Sequence, residues 1–259
     1  MFNKLWLILV VYLVFSQISI AAQRTLNMND VAWPPYFFID NQTKKFNLGF
    51  GKELLNYCLA KSDYKVKYIR LPIDGTYQYM KQGKLDLTVY SYKKEREQAL
   101  IYGKEPLFRS EYGFLVPANS KIQVNTLDDV LPYQIGHLAG LTYSPNYMKI
   151  INDKMKLKQV TVGHTLESMF LQLLAPNPRF DIMADSKRTF HWYAKSAGIS
   201  DKVKVLDYNL ITKDYFITVA KRANNIDNPT KLLNETDNCL KQMKKDGSYE
   251  AILAKYEQH

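Results

Sequence analysis

Strand-period and helix-period segments alternate along this chain, stop, and start again, and that constrains the fold more than any other feature. Thr25 to Asp30 alternates as a strand. Trp33-Pro34-Pro35-Tyr36 ends it, because proline removes backbone donors and the residue before a proline favours extended geometry. Phe37 to Phe46 reads as a hairpin around Asp40-Asn41. Over Gly51 to Lys61, Phe50, Leu54 and Cys58 share a helical face, with Leu55 and Leu59 beside them. Lys65 to Leu71 alternates as a strand, Thr76 to Gln82 is a short helix stopped by Gly83, and Leu85 to Tyr90 is a strand. This β-α-β-α-β order implies a parallel sheet with helices packed on it. Ligands bind such sheets beyond the carboxyl ends of the strands, which directs attention to the loops Ala32 to Tyr36, Pro72 to Gly75 and Tyr90 to Arg96.

After a strand at Tyr112 to Val116 and a polar stretch to Lys121, the alternation restarts. Strands are expected at Gln134 to His137, Lys158 to Val162, Phe180 to Ala184 and Lys202 to Leu206. Helices are expected at Tyr143 to Ile151, Leu166 to Leu174 behind a Thr165 cap, and Ser186 to Ala197. Tyr215 to Ala220 follows as a strand. Pro229 opens a long helix over Thr230 to Lys245, Gly247 breaks it, and Ser248 to Tyr256 ends the chain.

The first 22 residues stand apart. Met1 to Lys4 is a short basic segment, Leu5 to Phe15 is almost wholly apolar, and Ser19-Ile20-Ala21 offers a small-x-small cleavage pattern. Ser16, Gln17 and Ser19 interrupt the apolar run before it comfortably spans a bilayer. The segment predicts a cleaved secretory signal peptide, 1–22, and a soluble periplasmic product; no cysteine near the cleavage site calls for a lipid anchor. The formal charge is +10, and lysines are spread along the whole chain. A solvated, mildly basic surface accounts for this, and no nucleic-acid motif stands beside it. Cys58 and Cys239 lie on apolar faces of expected helices; export allows a disulfide, but two free, hydrophobe-like thiols are preferred. His137, His164, His191 and His259 show no metal-ligand spacing, and there is no nucleophile elbow or phosphate loop. Neither metal nor cofactor is expected.

Four segments, read in order, resemble the family 3 solute-binding proteins, the amino-acid-binding group of type II periplasmic binding proteins. The first is Trp33-Pro34-Pro35-Tyr36-Phe37 followed by Leu48-Gly49-Phe50-Gly51-Lys52-Glu53-Leu54-Leu55. The second is Gln82-Gly83-Lys84-Leu85-Asp86-Leu87 with Lys94-Glu95-Arg96 and Glu105-Pro106-Leu107. The third is Phe180-Asp181-Ile182-Met183-Ala184-Asp185. The fourth is Met243-Lys244-Lys245-Asp246-Gly247-Ser248-Tyr249-Glu250. Each is weak alone; their order and spacing over 25–257 carry the signal. The resemblance implies an α/β type II periplasmic-binding-protein fold. Two lobes, each a mainly parallel sheet flanked by helices, are joined by two crossover strands. Lobe one would be 23–112 with 208–259, and lobe two 113–207.

It also implies a site. Arg96, otherwise part of a solvated charge run, takes the position that grips a ligand α-carboxylate, and a guanidinium fork suits a carboxylate bidentately. Its loop is about two residues shorter than the usual family form. Asp185, otherwise a candidate helix cap, would accept from the ligand ammonium on the opposite lobe. Gly140-Leu141-Thr142 stands where the family has Gly-Thr-Thr at the opening of a helix. Backbone N–H groups there can hold a carboxylate, and an ordinary glycine turn with a threonine cap is an equal alternative. Trp33 and Ile73 fall where the family packs the ligand's stem, against a core-packing alternative, and Ser91 adds a hydroxyl. The expected function is capture of a small polar solute, an amino acid or related small carboxylate, by a monomer that closes on it and serves an ABC permease or a membrane sensor. The alternative is a cleft enzyme of the cyclohexadienyl or arogenate dehydratase kind, with Glu95, Glu97 or Glu105 as the acid.

Overall fold

The computed structural model describes residues 23–39, 48–72 and 75–257. The expected signal peptide, the tip of the 37–46 hairpin, Ile73 and His259 lie outside these residues. The two ends of the hairpin region are joined nonetheless, Phe38 N–H donating to the Leu48 carbonyl at 3.0 Å.

In chain order the elements are β1 (Arg24–Asn29), α1 (Phe50–Ala60), β2 (Tyr64–Ile69), α2 (Thr76–Lys81), β3 (Leu87–Ser91), a 3-10 turn (Lys94–Arg96) and β4 (Leu100–Pro117). Then come β5 (Ile135–Leu138), α3 (Pro145–Lys156), β6 (Val160–Gly163), α4 (Leu166–Leu173), β7 (Ile182–Ser186) and α5 (Lys187–Ser196). The chain closes with β8 (Val203–Val205), β9 (Ile211–Ala220), α6 (Pro229–Asp246) and α7 (Ser248–Glu257). Among the described residues the strands join in the order β2-β1-β3-β9-β4-β7-β5-β6, with β8 on β4. β1, β2 and β3 run parallel, as do β5, β6 and β7. The antiparallel pair β4–β9 links the two groups. The carboxyl ends of each parallel group therefore share one edge, which places the post-strand loops together.

The long strand β4 begins at Leu100, twelve residues earlier than its pattern suggests. Its register against β9 shifts between Tyr102 and Pro106 and again between Pro106 and Phe108, so period-2 alternation is broken where it would have been read. Helix α3 starts at Pro145 rather than Tyr143, capped by Ser144, whose hydroxyl accepts from Tyr147 N–H at 3.4 Å. The Thr165 cap is present, accepting from Ser168 N–H at 3.2 Å.

The preference for free thiols is overturned. Cys58 and Cys239 form a disulfide, with their Cα atoms 5.6 Å apart. Both do lie on buried apolar helix faces, but those faces belong to α1 and α6, which pack on each other.

Several resembling segments prove to be supports. Gly49 has a φ of +85°, and a Cβ there would meet the Tyr36 carbonyl oxygen at 2.6 Å. Gly83, at φ +70°, would place one 2.6 Å from the Arg222 carbonyl oxygen. Asp86 is buried and ties β1 to the segment before α6, accepting from Asn27 N–H and the Asn225 amide, each at 2.8 Å. Lys52 is buried too, donating to Asp30 and to the Phe38 carbonyl, both at 2.5 Å, with its ammonium over the Tyr68 ring. Removing either charge of that pair strands the other in apolar surroundings, a cost of about 3–5 kcal/mol.

Candidate functional site

Arg96 stands in the turn after β3. Its guanidinium lies 4.1 Å from the centre of the Tyr90 ring, and Nη1 points at the Ser91 carbonyl at 3.5 Å. Ser91, the last residue of β3, is paired with Tyr215 of β9 and faces its hydroxyl. Tyr215 Oη in turn lies 2.6 Å from Tyr112 Oη of β4. The other wall of this tyrosine pair is Asp185 of β7.

Asp185 is 3% exposed. Burial raises its carboxyl to about 7, against the opposing effect of the Ser186 N–H, which donates to it at 2.6 Å. Ser186, not Asp185, caps α5. Among the described residues no lysine or arginine pairs with Asp185. Its charge is felt instead by the phenols of Tyr36, Tyr112, Tyr143 and Tyr215, all raised by their burial first and by Asp185 in addition. Asp185 thus borders the tyrosine hydroxyls directly, whereas Arg96, from the other group of parallel strands, lies beside Tyr90 and Tyr102 and meets the backbone of Ser91, whose hydroxyl faces Tyr215.

Trp33 packs into the same neighbourhood. Its ring centre is 4.8 Å from that of Tyr215, 4.4 Å from Tyr36 and 5.5 Å from Phe108. The indole N–H is buried without a hydrogen-bond partner. Gly140 and Thr142 precede α3 instead of opening it. Gly140 is exposed at φ +85°, and the helix N-terminus falls at Ser144 and Pro145. Tyr143, next in line, is buried and donates to the Ala184 carbonyl at 2.6 Å, beside Asp185. Ile73 lies outside the described residues.

Sequence reasoning missed Lys213. This half-buried residue of β9 donates to the Thr142 carbonyl at 2.6 Å, with its ammonium 5.4 Å from the centre of the Tyr112 ring. Burial, then the charges of Lys93 and Arg96, pull it down to about 8. The missed tyrosines 112, 143 and 215 come from three separate segments; only the period-2 spacing of Lys213 and Tyr215, which puts them on one strand face, was visible beforehand.

A cavity of about 660 Å³ lies beside Tyr36. It is lined by Arg109 and Glu111 of β4 with Arg188, Trp192 and Glu257. Tyr36, which also lines it, donates to Ser110 at 3.0 Å and packs on Trp33. The carboxyls weighed for acid chemistry are placed otherwise: Glu105 pairs with Lys244 at 2.6 Å, and Glu97 accepts from Tyr92 Oη at 3.0 Å in an exposed position. Among the described residues no group of three or more His, Cys, Asp or Glu is assembled for a metal ion, and no helix is long and apolar enough to cross a membrane.

Comparison with known proteins agrees with this architecture. A histidine kinase sensor domain with similarity to periplasmic binding proteins superposes with a TM-score of 0.71 at 17% identity, covering 91% of this chain and 96% of that one. An ancestral arginine-binding protein bound to arginine gives 0.71 at 23%, covering 91% and 99%. An ancestral amino-acid-binding protein described as a precursor of cyclohexadienyl dehydratase gives 0.67 at 22%, covering 90% and 95%. At these identities the likeness speaks for the fold, that of the type II periplasmic binding proteins. No match was found among the curated proteins. The family model described as bacterial extracellular solute-binding proteins, family 3, matches residues 28–259, and the chain belongs to that family of solute-binding proteins.

Proposed function

We propose that this protein captures a free amino acid or a closely related small carboxylate between two lobes, 23–112 with 208–259 and 113–207. In this reading Arg96 grips the α-carboxylate and Asp185 accepts from the ammonium. Ser91, Trp33, Gly140 and Thr142 line the space between, and Ile73 borders the stem. The observation that carries it is Asp185: among the described residues, a buried carboxyl without a cation of its own, at the end of one group of parallel strands, with an arginine that no carboxylate engages after the last strand of the other. A zwitterion supplies the missing charge to both. Because tyrosines cover Asp185, ligand reaches it when the lobes part, and the contacts it then makes to both favour closure.

Residues 1–22 support export to the periplasm by a cleaved signal peptide. The monomer serves an ABC importer or a membrane sensor; the likeness to a sensor-kinase domain keeps the second open. Calorimetry of the purified protein against the common amino acids tests the reading. One or more should bind, and Arg96→Met or Asp185→Asn should each weaken that ligand by about a hundredfold, the loss expected when one side of a buried charge pair is removed. Binding untouched by both substitutions contradicts it.

One observation favours a second reading. A carboxyl lifted to about 7 by burial is poised as a general acid, so Asp185 would serve a dehydratase on this fold. Glu97 and Glu105 are engaged elsewhere. Turnover of prephenate or arogenate by the purified protein would establish that reading in place of the first.

A further inference from the structure

The charges around the tyrosine pair do not balance for a simple zwitterion. Lys213 lies on the strand that links the two parallel groups and reaches both sets of post-strand loops. Its ammonium is bound to the Thr142 carbonyl after β5, and its charged neighbours are Lys93 and Arg96 after β3. Among the described residues neither Lys213 nor Arg96 pairs with a carboxylate, whereas the exposed cations Arg109, Lys149 and Lys255 each have one. Asp185 is the buried acid beside Tyr112, its carboxyl raised to about 7 by burial, and Glu95 stands on the turn that carries Lys93 and Arg96. Arg96 and Lys213, neither with a carboxylate of its own, leave one positive charge unanswered after an α-carboxylate has been placed on Arg96. The chain itself tolerates Lys213 poorly, since burial and like charge both act against its ammonium.

We propose that Lys213 is a specificity-determining residue that receives a second acidic group, so that the preferred ligand is an amino acid whose side chain carries a carboxylate or phosphate. The inference rests on the amino-acid reading above and narrows it. Arg96 holds the α-carboxylate, Asp185 the ammonium, and Lys213, held by the Thr142 carbonyl, the side-chain acid. A compact ammonium with three donors has two left after the Thr142 carbonyl is satisfied. A neutral or cationic side chain leaves those donors unpaired in a half-buried place, a penalty that selects against it.

Calorimetry with isosteric pairs tests this: L-glutamate against L-glutamine, L-aspartate against L-asparagine, and O-phospho-L-serine against L-serine. At least one acidic member should bind about tenfold or more tightly than its neutral partner. Lys213→Met should reduce that ratio to about threefold or less while changing the neutral partner's affinity by no more than about twofold. Lys213→Arg, which keeps the charge, should retain the preference, and a melting curve for each variant checks that it is folded. Neutral members binding as well as acidic ones, or Lys213→Met weakening both members alike, overturns the assignment while leaving the amino-acid reading intact; the second result would mean that Lys213 and Arg96 share one carboxylate. No heat from any amino acid takes down the broader reading and this one with it.

Discussion

Asp185 is a buried carboxyl, and its ionisation should be visible in stability. The unfolded carboxyl titrates near 3.8 and the folded one near 7. Below about pH 4 both states hold the proton and nothing is lost. Between those values the folded state keeps a proton that the unfolded state has released, so stability falls as pH rises. Above about 7 the buried carboxylate is charged and the loss is complete, on the order of 4 kcal/mol. Asp185→Asn removes this dependence. Denaturant melts of the two proteins without ligand should coincide near pH 4 and separate by pH 8, with the variant the more stable; parallel curves across that range would contradict the buried ionisation. Most of this was out of reach from sequence. Asp185 could be singled out by resemblance, but its dryness comes from Tyr112, Tyr143 and Tyr215, which lie 30 to 73 residues away along the chain.

Turns and seams decide matters at the level of single elements. Gly83 ends α2 in a left-handed conformation, against the Arg222 backbone. Gly83→Ala should therefore cost about 1–3 kcal/mol, more than the ordinary helix-end penalty, because the added methyl meets a carbonyl that cannot rotate away. A fall in urea midpoint at unchanged slope would report it, and a neutral result would mean that the segment after β9 gives way. The stop at Gly83 was legible because helix period and a following glycine are local signals. The start of β4 was not, since its register shifts hide the alternation, and its pairing with β9 is fixed by a strand more than 90 residues on. The opening of α3 shows the same limit on a smaller scale. Resemblance put Gly140-Leu141-Thr142 at its opening, whereas Ser144 and Pro145, a stronger local start pair, take that place.

Across the whole molecule, the Cys58–Cys239 bridge ties α1, near the start of the described chain, to α6, near its end, over a separation of 181 residues. Closing so long a loop restricts the unfolded chain more than it alters the folded one, and about 4–5 kcal/mol is expected from that restriction alone. Guanidinium melts with and without reductant, and of a Cys58→Ser, Cys239→Ser double variant, should show a loss of that order; a change below about 1 kcal/mol would mean that α1 and α6 stay docked without the bond. The sequence by itself determined the class of fold, the order of nearly every helix and strand, and the family, because alternation, caps and turn glycines are read from neighbours along the chain. Tertiary structure alone decided that the two cysteines join, that Asp185 is buried beside Tyr112 and Tyr215, and that Lys213 meets the Thr142 carbonyl with Arg96 among its charged neighbours. The physical reason is the same in each case: these are contacts between groups brought together by strand register and helix docking, and neither burial nor proximity is written in local pattern.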